Sequence, residues 1–240
     1  MRVGVLVPYA NTNLEPDLHR FKVKNLNYYI TRIAGYEINK IPDEEQMKQM
    51  GESDLTEALK LINGILPNAI LYGCTSANLS QGLKFTHDLE KLISKTCGCV
   101  AISASGALIL AIKALNIKNI ALASPYVKKI NDLAIKYFLE AGLEVVSLSD
   151  TGKKLTNYEQ GNLSPEKIIK LACEADSKNC EAIVLPCTDI KAVEVINIIE
   201  KKLGKPVITS NQAMIFSLLK SLNLKPNNSF PGKVFNLIKF

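Results

Sequence analysis

The sequence predicts an α/β protein: two pseudo-twofold-related, Rossmann-like β/α domains with parallel sheets, facing each other across a cleft. Three observations point there. Seven short apolar runs rich in β-branched residues alternate with amphipathic segments of helical period, the pattern of strand and crossover helix. The same motifs occur twice in the same order. A chain of 240 residues, 47% hydrophobic and 22% charged, is also long enough for each half to bury a core.

The elements follow in order. "RVGVLVP" is the first strand, ending at Pro8 and Tyr9, and "NTNLEPD" turns into a helix near Leu14, where Asn11 or Thr12 could serve as caps. In "DLTEALKLINGIL", Leu55, Ala58, Leu59 and Ile62 share one helical face. "AILYG" is a strand that runs into Cys74, Thr75 and Ser76, and "CVAIS", "NIALAS" and "EVVSLS" are the next three strands. "SPEKIIKLACEA" starts a helix with Ser164 as N-cap and Pro165 at the first helical position, so Cys173 lies inside it as a small core residue, and Cys180 is read the same way. "AIVLP" delivers Cys187 and Thr188, and "DIKAVEVINIIEKKLG" reads as one helix closed by Gly204 in a left-handed cap. "PVITS" leads into the last helix, with Asn211 as a possible cap.

The repeat is the most informative pattern. Pro8 and Tyr9 recur as Pro125 and Tyr126 after 117 residues (126 minus 9), and Cys74 recurs as Cys187 after 113 (187 minus 74). "CGCVAISASGA" is echoed by "GKPVITSNQA". The expected halves are residues 1–100, completed by 211–240, and residues 101–210. Ligands of open parallel sheets bind at the carboxyl ends of strands, where all three repeated motifs fall. Cys74 and Cys187 should therefore face one another across a shared cleft.

Composition removes several classes. The net charge of +6 comes from dispersed lysines, with Arg2, Arg20 and Arg32 the only arginines, so no nucleic-acid face is expected. "MRVGVLVPYA" turns polar too soon for a signal peptide, and "SGALILAIKAL" is far below the ~20 apolar residues of a membrane span. A cytoplasmic protein off the membrane is expected, with its six cysteines reduced. Cys97 and Cys99 form C-x-C rather than C-x-x-C with no histidine near, so no metal is expected, and a redox role for that pair is the weaker option. His19 and His87 stand outside every repeated motif.

A thiol at a helix start meets unpaired N–H groups and the positive end of the helix dipole, which favour thiolate. Thr75, Ser76 and Thr188 set hydroxyls beside the sulfurs, either as helix caps or as donors for a carboxylate. Two opposed thiols suit two reactions. In a racemase, one removes a proton next to a carboxylate and the other returns it; in a cis-trans isomerase, a thiolate adds to an activated alkene, the new single bond turns, and elimination follows. Neither needs a metal or an organic cofactor. A carboxylate-binding module without turnover is the alternative outside enzymes. Arg32 in "YYITRIAG" could grip a substrate carboxylate or a structural acid, and Glu15 reads as a first-turn helix residue.

These motifs resemble the aspartate/glutamate racemase superfamily, and within it the maleate cis-trans isomerase and arylmalonate decarboxylase branch. "VPYANTNLE" is similar to that branch's opening motif, "GCTSANLSQG" to its first cysteine motif, "ASPY" to its tyrosine motif, and "LPCTD…LGKPVITSNQA" to its second cysteine and closing motif. The resemblance implies Cys74 and Cys187 as catalytic cysteines, with Cys74 adding to the alkene and Cys187 handling a proton at the other carbon. It implies Asn11, Tyr126 and Asn157 as carboxylate ligands, joined by Thr12, Thr75, Ser76, Thr188 and Asn211. It further implies a small carboxylate substrate, a homodimer and no cofactor. The decarboxylases carry glycine in place of the first cysteine, so Cys74 speaks against decarboxylation. Tyr9 and Ala10 stand where the isomerases have two small residues, which implies a narrower pocket or another substrate. Amino-acid or hydantoin racemisation by the same thiols is the alternative reaction.

Overall fold

β1 (Arg2–Pro8) carries five consecutive buried residues, as a strand covered on both faces must. In this computed structural model, which describes residues 1–33, 35–37, 39–226 and 230–238, β1 leads through α1 (Leu14–Arg20) to β2 (Asn27–Ile33). Then come α2 (Glu44–Gly51), α3 (Thr56–Asn63), β3 (Ala69–Tyr72), α4 (Thr75–Gln81), α5 (Leu83–Cys97), β4 (Val100–Ser103) and α6 (Ala104–Ala114). The second half repeats the plan with β5 (Asn119–Ser124), α7 (Lys128–Glu140), β6 (Glu144–Asp150), α8 (Asn157–Gly161), α9 (Pro165–Ala175), β7 (Ala182–Leu185), α10 (Ile196–Leu203), β8 (Val207–Thr209) and α11 (Ser210–Ser221).

The first sheet has the order β2-β1-β3-β4 and the second β6-β5-β7-β8, all pairs parallel. Adding four to each strand number turns one order into the other, so the repeat in sequence is a repeat in topology. The helices that follow the last strand of each sheet, α6 and α11, pack against each other, as counterparts beside a twofold axis do. Residues 210–219 of α11 are all buried. A helix buried all round lies in the middle of a protein, and each fully buried Leu, Ile or Phe there is worth about 1.5–3 kcal/mol. α11 also packs on β4 and α1.

Two sequence expectations need correction. Among the described residues there are eight strands, not seven: β2, "NYYITRI", pairs with β1 from Arg2↔Asn27 to Pro8↔Ile33. It is an edge strand with only Ile33 fully buried, so it lacks the continuous apolar run that marked the others. The segment after Cys187 does not enter a helix at once. Thr188, Asp189 and Ile190 form a turn region, a 3-10 turn covers Val193–Val195, and α10 begins only at Ile196. The side chain of Asp189 is engaged across the cleft by the β1–α1 loop, which holds this stretch out of helix.

The ends of α9 and α10 act as read. Ser164 accepts from the Lys167 N–H with Pro165 in the first turn of α9, and Gly204 closes α10 at φ 72°, where a side chain would be strained. α11 is capped by Thr209, in a reciprocal pair with Gln212, and not by Asn211. Cys180 is buried but is no plain apolar filler, since its thiol donates to Asp176 and the Lys205 ammonium lies 3.4 Å from its sulfur. Cys173 is half-buried in α9. Among the described residues no helix is long and apolar enough to cross a membrane.

Candidate active site

The carboxyl ends of β1, β3, β5 and β7, the central strands of both sheets, converge on one cavity with a free volume of about 40 Å³. Asn11 reaches it from β1, Cys74 and Ser76 from β3, Tyr126 from β5, and Cys187 with Thr188 from β7. Asn157 joins them from the first turn of α8. That turn is fixed by a capping box in which Thr156 and Glu159 bond each other's backbone N–H. Cys74 occupies the N-cap position of α4 in extended conformation, which points its side chain to where the helix's first N–H groups lie.

One hydroxyl ties the two halves together beneath the sulfurs. Thr188 Oγ1 donates to the carbonyl of Gly73 at 2.9 Å and accepts from Asn11 Nδ2 at 3.0 Å. The Asn11 side-chain oxygen in turn accepts from the N–H groups of Asn13 and Leu14 at 3.1 and 2.9 Å, steadying the start of α1. Asp189 locks the same joint, its Oδ1 accepting from the Thr12 N–H at 2.7 Å and from the Asn13 N–H and side-chain amide at 3.1 Å each. Burial pushes the Asp189 carboxyl up to about 6, against the opposing pull of these hydrogen bonds. It remains largely ionised near neutral pH.

The two thiols are 5% exposed each, and burial dominates their chemistry. It pushes Cys74 up to about 11, although the Ala77 N–H and the Ser76 hydroxyl favour the thiolate. Cys187 is pushed up to about 12 by burial and by the neighbouring Asp189 carboxylate, opposed by the Asp189 N–H 3.4 Å from its sulfur. The N–H groups at the helix start do favour the Cys74 thiolate, as expected, but burial acts the other way and is the larger effect. Removing the sulfur from water outweighs the helix's N–H groups at Cys74, and Cys187 has no helix behind it. The sulfurs are close enough that charge on Cys74 further disfavours charge on Cys187.

The remaining donors sort into those at the cavity and those behind it. The Tyr126 hydroxyl is buried and donates to the Pro186 carbonyl, beside the Cys187 sulfur. The Asn157 amide lies 2.8 Å from the hydroxyl of Tyr36. Thr75 Oγ1 donates to Ser210 at 2.9 Å, and Thr12 bonds Asp189, so both sit one layer back from the lining. Asn211 does too: its Nδ2 donates to Asp17 at 2.7 Å and to the Thr188 carbonyl at 3.1 Å. Burial raises that Asp17 carboxyl to about 7, with the Asn211 amide and the Arg20 guanidinium opposing. Arg32 resolves to the structural acid: it pairs with Glu15 and braces the carbonyls of Pro8, Tyr9 and Asn11.

Sequence reading missed Tyr36, Met47, Met50, Gln160 and Asp189 as cavity walls, and named Tyr9 only as a departure. A signal existed for two of them, since "EEQMKQM" puts Met47 and Met50 on one face of a helix N-capped by Asp43. No lysine or arginine lines the cavity among the described residues, so any anion there would be held by amides, hydroxyls and N–H groups. That arrangement stabilises negative charge without a fixed counter-ion and places two ionisable sulfurs beside it.

The chain is similar to known proteins over nearly its whole length. It is 29% identical to the maleate isomerase of Geobacillus stearothermophilus, covering 93% of this chain and 92% of that one. Among solved structures, the maleate isomerase Iso of Pseudomonas putida S16 superposes with a TM-score of 0.89 at 22% identity, covering 100% of this chain and 99% of that one. A mutant of the Nocardia farcinica maleate cis-trans isomerase with a covalently bound succinylcysteine intermediate superposes at 0.86 and 23% identity, covering 98% and 97%. The family model described as arylmalonate decarboxylase matches residues 3–235, and the chain belongs to that family.

Proposed function

We propose that this protein is a cofactor-independent cis-trans isomerase of a small dicarboxylate, converting maleate to fumarate. The observation that carries this reading is the pair of buried cysteines, one from each half, on a single cavity that also presents the amides and hydroxyls of Asn11, Ser76, Tyr126, Asn157 and Thr188. The whole-length likeness to maleate isomerases supports it, as does the succinylcysteine intermediate of the Nocardia farcinica enzyme.

The chemistry follows from the asymmetry of the two sulfurs. Cys74 is the nucleophile in this reading, as the family likeness implies; burial keeps both thiols protonated, and the Asp189 carboxylate adds to that at Cys187. Its lone pair forms a C–S bond to one alkene carbon, and the alkene π pair moves to the other carbon and into its carboxylate. Cys187, held protonated by burial and Asp189, gives its proton to that second carbon, leaving a succinyl adduct on Cys74 and a thiolate at Cys187. The former double bond turns as a single bond. Cys187 then takes the proton back, the C–S bond breaks, and the trans diacid leaves with Cys74 as thiolate. Asn11, Ser76, Tyr126, Asn157 and Thr188 hold the carboxylates in this reading, while Thr12, Thr75 and Asn211 position them from behind. A homodimer in the cytoplasm belongs to the same reading, drawn from the sequence and the family likeness.

Loss of maleate followed in the ultraviolet, with fumarate identified by NMR, tests the proposal. The protein should produce fumarate, and Cys74→Ala should lower kcat by at least ~1,000-fold, since it removes the group that forms the bond. Full activity in Cys74→Ala would overturn the assignment. Deuterium appearing at Cα of aspartate or glutamate in heavy water, with maleate untouched, would favour racemisation instead.

A further inference from the structure

Tyr9 lies against this cavity, and none of the steps above uses it. Its ring rests on the backbone of Gly35, where a methyl group on the α-carbon would fall 2.1 Å from ring carbon Cε1 and 2.2 Å from Cδ1. The ring also meets Tyr36, edge to face at 83° with ring centroids 5.8 Å apart. Tyr36 is itself anchored through its hydroxyl to the Asn157 amide at 2.8 Å. The Tyr9 ring is therefore packed against both a glycine and an anchored aromatic side chain.

Its hydroxyl is in an unusual position. The oxygen is buried and makes no hydrogen bond that the geometry supports. Burial raises its pKa, with the Asn157 amide nearby in opposition, so near neutral pH it is a phenol with a proton to donate. A buried donor without an acceptor costs about 1–3 kcal/mol, a cost that a carboxylate oxygen brought by a ligand would remove.

Space makes the second half of the case. The free volume of about 40 Å³ is room for roughly three waters. The Tyr9 ring is one wall of that small space. A further substituent on an alkene carbon would press on that wall.

We propose that Tyr9 is the specificity-determining residue of this cleft: its ring restricts the ligand to diacids unsubstituted at the alkene carbons, and its hydroxyl donates to one ligand carboxylate. This rests on the diacid reading above. Because the ring does the excluding and the hydroxyl the binding, the two roles separate by substitution.

The test uses wild type, Tyr9→Phe and Tyr9→Ser, with maleate and 2-methylmaleate as substrates and calorimetric binding of succinate as a readout free of turnover. Tyr9→Phe should raise KM for maleate and Kd for succinate about tenfold, the range for a lost charge-assisted hydrogen bond, while kcat changes less than about threefold. Tyr9→Ser should raise the ratio of kcat/KM for 2-methylmaleate over maleate by at least ~10-fold, in line with a relieved steric clash of one methyl group. Unchanged KM and Kd in Tyr9→Phe would overturn the donor role, and an unchanged ratio in Tyr9→Ser would overturn the gate. A wild-type protein that binds succinate but leaves maleate untouched would tell against isomerisation, with the Tyr9→Phe binding arm still deciding the donor role. Wild-type failure to bind succinate would overturn both.

Discussion

Sulfur acidity decides most of what the cavity can do. A thiol pushed up to about 11, as Cys74 is, is nearly all protonated at pH 7, and its thiolate fraction rises tenfold for each pH unit until the pKa is reached. Alkylation of Cys74 by a small neutral reagent in the absence of substrate should therefore be slow at pH 7 and accelerate about tenfold per unit through pH 9. Peptide mapping of the alkylated product gives the rate at each site, and a plateau below pH 8 would contradict the burial argument. Slow labelling at neutral pH is thus no sign of an inert binding protein here. The substrate carboxylates, once held by the donors around the cavity, arrive where the sulfur already sits, so proximity does what acidity alone does not.

Among the elements, the joint between the β1–α1 loop and the strand end at Cys187 matters most, and it hangs on Thr188. Replacing it by valine keeps the shape but leaves the Asn11 amide and the Gly73 carbonyl without their partner. Each buried unsatisfied group costs about 1–3 kcal/mol, so Thr188→Val should lower stability by at least ~2 kcal/mol in urea unfolding, with Thr188→Ser near wild type. Equal stability of the valine variant would show that the joint contributes nothing.

What the sequence made legible follows the same division. Strands covered on both faces announced themselves as apolar runs, and the caps at Ser164 and Gly204 were readable because Ser-Pro and Lys-Leu-Gly have few other uses at helix ends. The cysteine pair was readable because it recurs. β2 was not, since an edge strand with exposed Tyr29 and Arg32 alternates weakly, though the repeat demanded a partner for β6. Nor was the role of Asp189: its four donors come from Thr12 and Asn13, far away in sequence, and no local pattern encodes that meeting. Asn211 looked like a cap because it stands two residues from the true one, Thr209, whose partner Gln212 was the readable clue.

At the scale of the molecule, neither half has a complete site. The first supplies Cys74, Ser76 and Asn11, the second Tyr126, Asn157 and Cys187, and α6 against α11 holds the two sheets so that four strand ends share one cavity. The division of labour between the sulfurs is the central claim, and it has a direct test. Cys187→Ser, which keeps a hydroxyl but removes the proton-handling thiol, is mixed with maleate, and the product is read by intact mass and peptide mapping. The account predicts a gain of one maleate, held as a succinyl group on Cys74 after water protonates the second carbon, with fumarate release slowed at least ~100-fold because no thiolate remains to take that proton back. An adduct on any other cysteine, or unslowed fumarate release, would contradict it.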